Sequence, residues 1–455
     1  MAIETINPFT NKSVKSFEEI SEQELETKID TAHKQYAKWK DTKIEKRAEL
    51  LHKVAVIMRK RKKELAQLIT LEMGKLIKQS ESEIEMCASV YEYYANNGAD
   101  FMKDKELEVE SGKAIMKLSP IGIILGVEPW NYPFNQVGRL AAPNIMLGNV
   151  VMIKHASNVP QCAQAIEDIF KEAGAEEGIY TNLFLNSKHI AKIAEDDRVV
   201  GLSLTGSEKA GASVAEAAGK NLKKSVLELG GSDPFIVLED ADMDVVIKNA
   251  IAGRLGNMGQ ACTSSKRMIV LESVADEFTN RLLDKIKGMK VGDPADASTE
   301  VGPLSSEDAA EKIKEQVDAT VKAGAKVLLG GKRIDREGAF YEPTILTGIK
   351  KGMTAYHEEL FGPIVMIYKV KDQEEAIKLA NDSSFGLGGS VFSKDIDRAV
   401  EVASKIETGM VFINQYTGSR PDLPFGGTKR SGYGRELAAY GMNEFVNKKL
   451  IYVGE

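Results

Sequence analysis

Short apolar runs alternate with helical stretches from about residue 121 onward, and this alternation constrains the fold of the chain most strongly. The runs that predict strands lie at 121–127, 150–154, 199–204, 225–229, 326–329, 365–370 and 409–413. The stretches that predict helices lie at 160–173, from about residue 207, and at 308–323, 374–380 and 396–406. Strands that alternate with helices form parallel sheets covered on both faces. We therefore predict an α/β fold.

The N-terminal part of the chain has a helical periodicity instead. Residues 44–73 place apolar side chains at three- and four-residue steps, which predicts one long amphipathic helix ending at Gly74. A second helix is predicted at 81–96, and a strand at 114–118. A chain of 455 residues is too long for one hydrophobic core. We expect two α/β domains, with a boundary near residues 230–231.

Composition excludes several classes of function. Hydrophobic residues make up 43% of the chain and charged residues 28%, as in ordinary globular proteins. The net charge of −7 and the lack of a basic stripe argue against nucleic-acid binding. The longest apolar run beside a motif, 121–127, is far too short to span a membrane, and the first ten residues do not resemble a signal peptide. We expect a cytoplasmic protein without a membrane partner.

The cysteines and histidines predict no metal site. The three cysteines form no CxxC pair, and the five histidines form no HExxH pattern. Buried, inert thiols are the commonest kind of cysteine. This interpretation fits Cys87 and Cys162, but it fits Cys262 less well, because Cys262 follows Gly259-Gln260-Ala261 in a loop with small and polar neighbours.

Three further segments carry candidate functional residues. Residues 128–133, Glu-Pro-Trp-Asn-Tyr-Pro, form a stiff loop after a predicted strand, where α/β sheets bind ligands, although a purely structural turn would look the same. Glu228 ends an apolar strand, where desolvation raises the pKa of a carboxyl group and suits it to general base catalysis. A Glu paired with a buried donor is the alternative. Gly206-Ser207 resembles a strand-to-helix phosphate turn, but without a full GxGxxG pattern it is a weak fingerprint.

Taken together and in this order, these segments resemble those of the aldehyde dehydrogenase superfamily. The resemblance runs from about residue 5 to residue 453. The matching segments are Pro-Trp-Asn-Tyr-Pro at 129–133, Lys154, Gly206-Ser207, Glu-Leu-Gly-Gly at 228–231, Gly-Gln-Ala-Cys at 259–262, Glu-Leu-Phe-Gly-Pro at 359–363 and the segment 424–436. Within the superfamily, Lys-His-Ala at 154–156 and the run 231–238 are most similar to the bacterial succinate-semialdehyde dehydrogenases.

The resemblance implies a covalent mechanism. Cys262 would be the nucleophile that attacks an aldehyde, and Glu228 would activate the water that hydrolyses the resulting thioester. The side-chain amide of Asn131 and the backbone N–H of Cys262 would form the oxyanion hole.

The resemblance also implies NAD or NADP as the cofactor. The residues that it assigns to cofactor binding are Trp130, Lys154, Ser157, Gly206, Ser207, Gly211, Glu359 and Phe361. NAD-preferring members often have Glu at the position of Ser157. A serine there leaves room for a 2′-phosphate, so we expect NADP to be accepted, while the preference between the two cofactors stays open.

Substrate choice is predicted from Arg139, which lies where succinate-semialdehyde enzymes place an arginine. Arginine binds a carboxylate through two hydrogen bonds. Ser419 matches a second substrate-contacting position, and Arg420 beside it adds positive charge. A surface ion pair is the ordinary alternative for Arg139. Gly256 and Ser264 stand where some relatives have a second substrate arginine and a redox-switch cysteine.

The family fold implies three parts. These are a Rossmann-like NAD(P)-binding domain (1–100 and 120–229), an α/β catalytic domain (230–442) and a small β oligomerisation arm (101–119 and 443–455). The arm implies a homodimer or homotetramer. The competing functions are a broad-specificity or other small-aldehyde dehydrogenase, a CoA-acylating dehydrogenase or acyltransferase, and a structural protein that has kept the fold.

Overall fold

The structure, a computed structural model, describes residues 3–454. Residues 1, 2 and 455, which the predicted cofactor domain and arm include, lie outside the described residues. The helices are α1 (Glu22–Trp39), α2 (Ile44–Lys60), α3 (Lys62–Met73), α4 (Ile77–Phe101), α5 (Asn135–Leu147), α6 (Pro160–Glu172), α7 (Ile190–Glu195), α8 (Glu208–Lys220), α9 (Met243–Leu255), α10 (Glu272–Lys287), α11 (Glu307–Lys322), α12 (Thr354–His357), α13 (Gln373–Asn381), α14 (Ile396–Ser404) and α15 (Ala438–Gly441). A short 3₁₀ helix lies at Ser187–His189, and a tight turn with left-handed residues lies at Gly256–Gly259.

The strands are β1 (Ile3–Asn7), β2 (Lys12–Phe17), β3 (Lys105–Leu107), β4 (Lys113–Pro120), β5 (Ile123–Glu128), β6 (Val150–His155), β7 (Tyr180–Asn182), β8 (Val199–Thr205), β9 (Lys224–Glu228), β10 (Asp233–Val237), β11 (Ser265–Leu271), β12 (Lys326–Leu329), β13 (Thr344–Thr347), β14 (Ile364–Val370), β15 (Phe385–Gly386), β16 (Ser390–Phe392), β17 (Phe412–Ile413), β18 (Thr428–Lys429), β19 (Gly432–Tyr433) and β20 (Val446–Val453).

Two largely parallel sheets organise the chain, and the predicted α/β fold is confirmed. The first sheet has the order β19-β9-β8-β5-β6-β7, in which the strands from β9 to β7 run parallel. The second sheet has the order β12-β13-β14-β11-β10-β16-β17, with only β12 antiparallel. Parallel strands are buried on both faces, which explains their continuous apolar runs.

The chain also forms a three-stranded antiparallel sheet, which shares no strand with the two parallel sheets. Its order is β20-β4-β3, and β20 pairs with β4 along the whole length from Val446↔Pro120 to Val453↔Lys113. β20 therefore has a partner on one edge and a free edge on the other within the described chain. Side chains along it are exposed, including Leu450, Ile451 and Tyr452.

The prediction of a single helix over 44–73 was wrong. The chain forms α2 and α3, and Arg61 between them has non-helical backbone angles of φ −95° and ψ 11°. Apolar side chains continue through the break, so their periodicity hides it. The predicted stop is confirmed, because Gly74 ends α3 in a left-handed conformation with φ 75°. The helix predicted at 81–96 is longer, since α4 spans 25 residues.

Residues 3–454 contain no helix that is long and apolar enough to cross a membrane. Within the same residues, no cluster of three or more His, Cys, Asp or Glu side chains has an arrangement suited to a metal ion.

Candidate active site

Two of the predicted catalytic residues, Asn131 and Glu228, lie at the carboxyl ends of parallel strands of the first sheet, and Cys262 lies in the loop that leads into a strand of the second sheet. Asn131 follows β5, Glu228 is the last residue of β9, and Cys262 lies three residues before β11. The carboxyl ends of parallel strands are where open α/β sheets bind ligands. The fold therefore brings together residues that lie far apart in the chain.

The nucleophile loop has an unusual backbone. Asn257, Met258 and Gly259 all have positive φ, at 51°, 53° and 72°. A side chain on Gly259 would lie 2.2 Å from the carbonyl oxygen of Gly362. Positive φ in consecutive non-glycine residues costs free energy, on the order of 1–3 kcal/mol each, and such strain persists only where other contacts hold it. The loop is thus held in a specific conformation just before Cys262.

Asn131 is fixed by contacts with this loop. The side-chain Nδ2 of Asn131 donates a hydrogen bond to the backbone carbonyl oxygen of Gln260 at 3.0 Å. The backbone carbonyl oxygen of Asn131 accepts one from Asn257 Nδ2 at 3.0 Å. An amide nitrogen carries two hydrogens. The second hydrogen of Asn131 Nδ2 is therefore available for an oxyanion beside Cys262.

A buried ion pair lies beneath the Asn131 loop. Lys75 Nζ contacts Glu83, donates to the Asn131 carbonyl oxygen at 2.7 Å and lies 3.6 Å from the centre of the Tyr132 ring. Glu83 in turn accepts hydrogen bonds from the backbone N–H groups of Phe134 and residue 135. Both charged side chains are fully buried. The pair joins α4 and the end of α3 to the loop that carries Asn131.

The thiol of Cys262 is half-buried, whereas Cys87 and Cys162 are buried. Burial raises the pKa of Cys262 to about 12, while Arg139 and Lys266 lower it and Glu359 and Glu228 raise it. At neutral pH the thiol is therefore protonated, and its reactivity increases as the pH rises. The two other thiols have pKa values raised well above the ordinary value by burial.

Glu228 is 2% exposed, and neither of its carboxyl oxygens has a hydrogen-bond partner among residues 3–454. Burial, followed by the nearby charge of Glu436, raises its pKa well above the ordinary value, and Arg139 acts in the opposite direction. Glu128 is also buried with both oxygens unpartnered in the described structure, and burial raises its pKa too. The site therefore contains several carboxyl groups around one arginine.

Arg139 lies on α5 and is 3% exposed, so it is not part of a surface ion pair. Its Nε donates to Glu436 Oε2 at 2.6 Å, and its guanidinium lies 4.1 Å from the centre of the Phe425 ring. Its Nη2 has no hydrogen-bond partner within the described chain. Arg139 is thus paired with the buried carboxylate of Glu436 and keeps the N–H donors of Nη2 free for a ligand.

A cavity of about 510 Å³ lies beside Cys262 and contains all three predicted substrate residues. Arg139, Ser419, Arg420 and Cys262 line it. Ser419 Oγ is buried without a hydrogen-bond partner among the described residues. Arg420 is exposed and forms two hydrogen bonds with Asp422, so its charge is largely compensated.

A second cavity, of about 480 Å³, reaches Cys262 from the other side. Its lining includes the predicted residues Trp130, Gly206, Ser207, Glu359 and Phe361, together with Glu228. Among residues 3–454, only Cys262 and Gln136 line both cavities. Ser207 caps α8 by accepting a hydrogen bond from the Ala210 N–H, so the N-terminus of a 13-residue helix faces this cavity. A helix N-terminus and a carboxylate suit a dinucleotide with phosphate and ribose groups.

Three predicted cofactor residues do not line this cavity. Lys154 lies in β6 opposite Val127 and is buried, which lowers its pKa. Ser157 follows β6, and its carbonyl oxygen accepts a hydrogen bond from the Glu4 N–H at 3.0 Å. Gly211 lies inside α8, where a side chain would be 2.6 Å from Leu229. Gly211 therefore allows α8 to pack closely against the chain after β9.

Sequence reasoning missed Lys75, Glu83, Lys266 and Gln136. Lys75 contacts Asn131 and Lys266 contacts Glu359, and both of these partners are distant in the sequence, so motif spacing does not predict the contacts. One signal was available for Lys266, because two charged residues, Lys266 and Arg267, interrupt the start of the apolar strand β11.

The comparisons with known proteins agree with the predicted resemblance. The model of the aldehyde dehydrogenase family matches residues 1–451. A succinate-semialdehyde dehydrogenase (NADP(+)) from Deinococcus radiodurans is 50% identical over 447 residues, which cover 98% of this chain and 94% of the relative. A probable succinate-semialdehyde dehydrogenase (NADP(+)) from Synechocystis is 45% identical, with 100% of each chain covered.

A solved structure is similar over the whole chain as well. The crystal structure of succinic semialdehyde dehydrogenase from Streptococcus pyogenes in complex with NADP+ has a TM-score of 0.98 and 46% identity, covering 99% of this chain and 100% of that chain. The chain belongs to the aldehyde dehydrogenase family, and the resemblance predicted from its motifs is confirmed.

Proposed function

We propose that this protein oxidises succinic semialdehyde to succinate with NADP or NAD, through a thioester on Cys262. The observation that carries the substrate is the pair of unused donors, Arg139 Nη2 and Ser419 Oγ, in the same cavity as Cys262. A short aldehyde with a carboxylate at its far end matches a thiol at one position and two hydrogen-bond donors at another. The names of the relatives support the same substrate.

Cys262 attacks the aldehyde carbon as a thiolate after its proton passes to solvent water, and the carbonyl oxygen becomes an oxyanion. The second hydrogen of Asn131 Nδ2 and the backbone N–H of Cys262 stabilise this oxyanion. Removing one such donor typically lowers the rate by about 10²–10³. When bound, the cofactor would supply the acceptor for the hydride that leaves as the oxyanion collapses. Asn131 can act only if its loop is held in place, which Lys75 and Asn257 do through its carbonyl oxygen.

Glu228 completes the reaction by accepting a proton from the water that hydrolyses the thioester. It lines the cofactor cavity together with Cys262, so water can lie between them once that cavity is accessible. A carboxyl group with a raised pKa accepts a proton at a pH closer to neutrality. A base in this position favours hydrolysis of the thioester to the free acid, as in a dehydrogenase, over transfer of the acyl group to CoA.

The residues of the second cavity would hold the cofactor. Glu359 would accept hydrogen bonds from a ribose, and Ser207 at the start of α8 would face the phosphates. Trp130 and Phe361, whose ring centres are 5.8 Å apart, provide apolar surface. We further propose that Lys154 binds a ribose hydroxyl and that Ser157 leaves room for a 2′-phosphate, so that NADP is accepted.

We also propose that the chain divides into the three parts expected from its sequence and assembles into a homodimer or a homotetramer. The free edge of β20, with its exposed apolar side chains, supports assembly by strand addition. The cytoplasmic location expected from the sequence stays a prediction.

The test compares succinic semialdehyde with butanal, which has the same number of carbon atoms but no carboxylate. The absorbance of the reduced cofactor gives kcat/KM for each aldehyde. Losing a charge-assisted hydrogen bond of ~1.5–3 kcal/mol predicts a preference of at least about tenfold for succinic semialdehyde. Release of free acid without CoA is expected.

Arg139→Lys should reduce this preference, mainly by raising KM for succinic semialdehyde. This variant keeps a positive charge beside Glu436, so it does not leave a buried carboxylate unpaired, as Arg139→Ala would. Arg281→Lys, an exchange of an arginine on α10 outside the cavity, is the control and should leave the preference unchanged. If the unmodified enzyme prefers butanal, the substrate assignment is wrong and a broad small-aldehyde specificity takes its place.

A further inference from the structure

Lys266 is a fully buried lysine that touches both peptide groups of the predicted nucleophile. It is the second residue of β11, and its side chain has no exposed surface. Its Nζ donates to the carbonyl oxygens of Ala261 at 2.9 Å and of Cys262 at 3.0 Å. It also lies 3.0 Å from Glu359 Oε1. These three contacts use all three hydrogens of an ammonium group.

The contact with Ala261 acts on the proposed oxyanion hole. The Ala261 carbonyl and the Cys262 N–H belong to the same peptide group. A cation that donates to the carbonyl oxygen polarises that peptide and makes its N–H a stronger donor, because hydrogen bonds in series reinforce one another. The contact with the Cys262 carbonyl fixes the next peptide, so Lys266 holds the backbone on both sides of the nucleophile.

Glu359 keeps the buried charge of Lys266 in place. An unpaired ammonium group is costly to bury, and a carboxylate partner reduces this cost. Glu359 also accepts a hydrogen bond from the Gly231 N–H at 3.2 Å. Asp233 is a second nearby carboxyl group. Burial raises its pKa to about 6, and the charge of Lys266 limits this rise.

The charges that face Cys262 come from four elements. Arg139 on α5 and Lys266 on β11 favour the thiolate, whereas Glu228 on β9 and Glu359 after α12 oppose it. Arg139 already pairs with Glu436 at 2.6 Å. The charge of Lys266 lies next to the backbone of Cys262 itself, so removing this charge should lower the reactivity of the thiol directly.

We propose that Lys266 is a positioning residue for the acylation step, holding the two peptides around Cys262 and favouring the thiolate and the oxyanion that form beside them. The proposal rests on Cys262 as the nucleophile of the proposed function, but it does not depend on which aldehyde is the substrate.

The first test measures the thiol without any aldehyde or cofactor. Cys262 is alkylated with iodoacetamide from neutral to alkaline pH, and the modified peptide is quantified by mass spectrometry. Lys266→Met, which keeps the length but removes the charge, should lower the rate at neutral pH by about tenfold and move the profile to higher pH, a change equal to one pKa unit. Lys266→Arg should keep most of the reactivity. Lys248→Met, at an exposed position on α9, is the control and should match the wild type.

The second test measures the first turnover. The burst of reduced cofactor in Lys266→Met should slow by about tenfold or more, with KM for the aldehyde little changed, since a weakened oxyanion donor acts on the transition state. Lys266→Arg should recover most of the burst rate.

Unchanged alkylation profiles and burst rates in Lys266→Met overturn the proposal, even if the variant melts at a lower temperature, because the lysine would then be a structural contact only. If Lys266→Met does not fold, Lys266→Gln keeps a hydrogen-bond donor without the charge. It should show the same shift in alkylation, and an unshifted profile overturns the proposal. Activity retained by Cys262→Ala would instead contradict the proposed function, and a preference for butanal would affect only the substrate.

Discussion

At the scale of single residues, the site depends on groups whose ionisation is opposed by burial. Burial raises the pKa values of both Cys262 and Glu228, so it opposes the loss of a proton from each group. The half-buried thiol of Cys262 and the buried carboxyl group of Glu228 become active when they lose a proton, and both changes are favoured at higher pH. The rate of aldehyde oxidation should therefore rise from neutral toward alkaline pH.

Glu228→Gln separates the two steps of the reaction. We expect one rapid burst of reduced cofactor per active site and then slow turnover, because the thioester forms but its hydrolysis loses the base. The slow steady state should also lose the part of the pH-dependent rise that comes from ionisation of Glu228. Stopped-flow absorbance measures both phases, and Cys262→Ala, which should show neither phase, is the control.

A full steady-state rate in Glu228→Gln would contradict the role of Glu228. Hydrolysis of the thioester would then have to be assigned to another base among the buried carboxyl groups around Arg139.

Ser157→Glu tests the choice of cofactor. A carboxylate at this position should lower kcat/KM for NADP by about tenfold or more and affect NAD less, because it would repel a 2′-phosphate. The measurement is kcat/KM with each cofactor at saturating aldehyde. Ser157→Gln has a similar size without the charge and is the matched control. An equal effect on both cofactors would mean that Ser157 does not face the adenosine ribose.

The residues that could be predicted from the sequence are those whose neighbours along the chain reveal them. Cys262 lies three residues after Gly259 and among small and polar residues, and Asn131 lies between two prolines. Lys75 could not be recognised in this way, because its partners Glu83 and Asn131 are reached only through the fold. The role of Arg139 was predicted from its position, but its partner Glu436 lies 297 residues away, so the buried ion pair was not foreseen.

At the scale of elements, the loop that carries Asn131 depends on the helices beneath it. Lys75 lies between α3 and α4, and Glu83 lies in the second turn of α4. Helix boundaries were harder to predict than helix positions. Apolar spacing continues across Arg61, so the break between α2 and α3 is not visible in the pattern, whereas the alternation of strands and helices located both parallel sheets.

Lys75→Met tests this support by leaving Glu83 buried without its cation. Removing one partner of a buried ion pair costs about 3–5 kcal/mol. We expect a lower denaturation midpoint in guanidinium chloride and a lower kcat, because the Asn131 carbonyl also loses a hydrogen bond. Lys75→Met combined with Glu83→Gln should recover part of the stability, since no charge then remains buried and unpaired.

The control for this prediction is Lys53→Met, which removes an exposed ion pair with Glu49 at 2.8 Å on α2 and should change the midpoint little. Equal midpoints for Lys75→Met and Lys53→Met would show that the buried pair contributes no more than an exposed one.

At the scale of the whole molecule, the eight-residue strand β20 has one free edge among the described residues. Leu450 and Tyr452 are more than half exposed, at 57% and 53%. Replacing both with lysine should weaken assembly without affecting the core, because charged side chains on an edge strand discourage pairing. Size-exclusion chromatography with light scattering should show a smaller assembly than the wild type.

The matched control is Ile396→Lys, at a residue that is 51% exposed at the start of α14. It should leave the molar mass of the assembly unchanged. If the variant with lysine at both Leu450 and Tyr452 keeps the molar mass of the wild-type assembly, the subunits meet through another surface.

The contact of Cys262 with two cavities has a kinetic consequence. One cavity has the exposed residue Arg420 at its rim and the other has the exposed residue Ser207, so each ligand can reach the thiol from its own side. The aldehyde and the dinucleotide therefore do not have to pass through each other's cavity. The shape of the two cavities imposes no compulsory order of binding. The acid product should accordingly compete with the aldehyde but not with the dinucleotide in product-inhibition measurements.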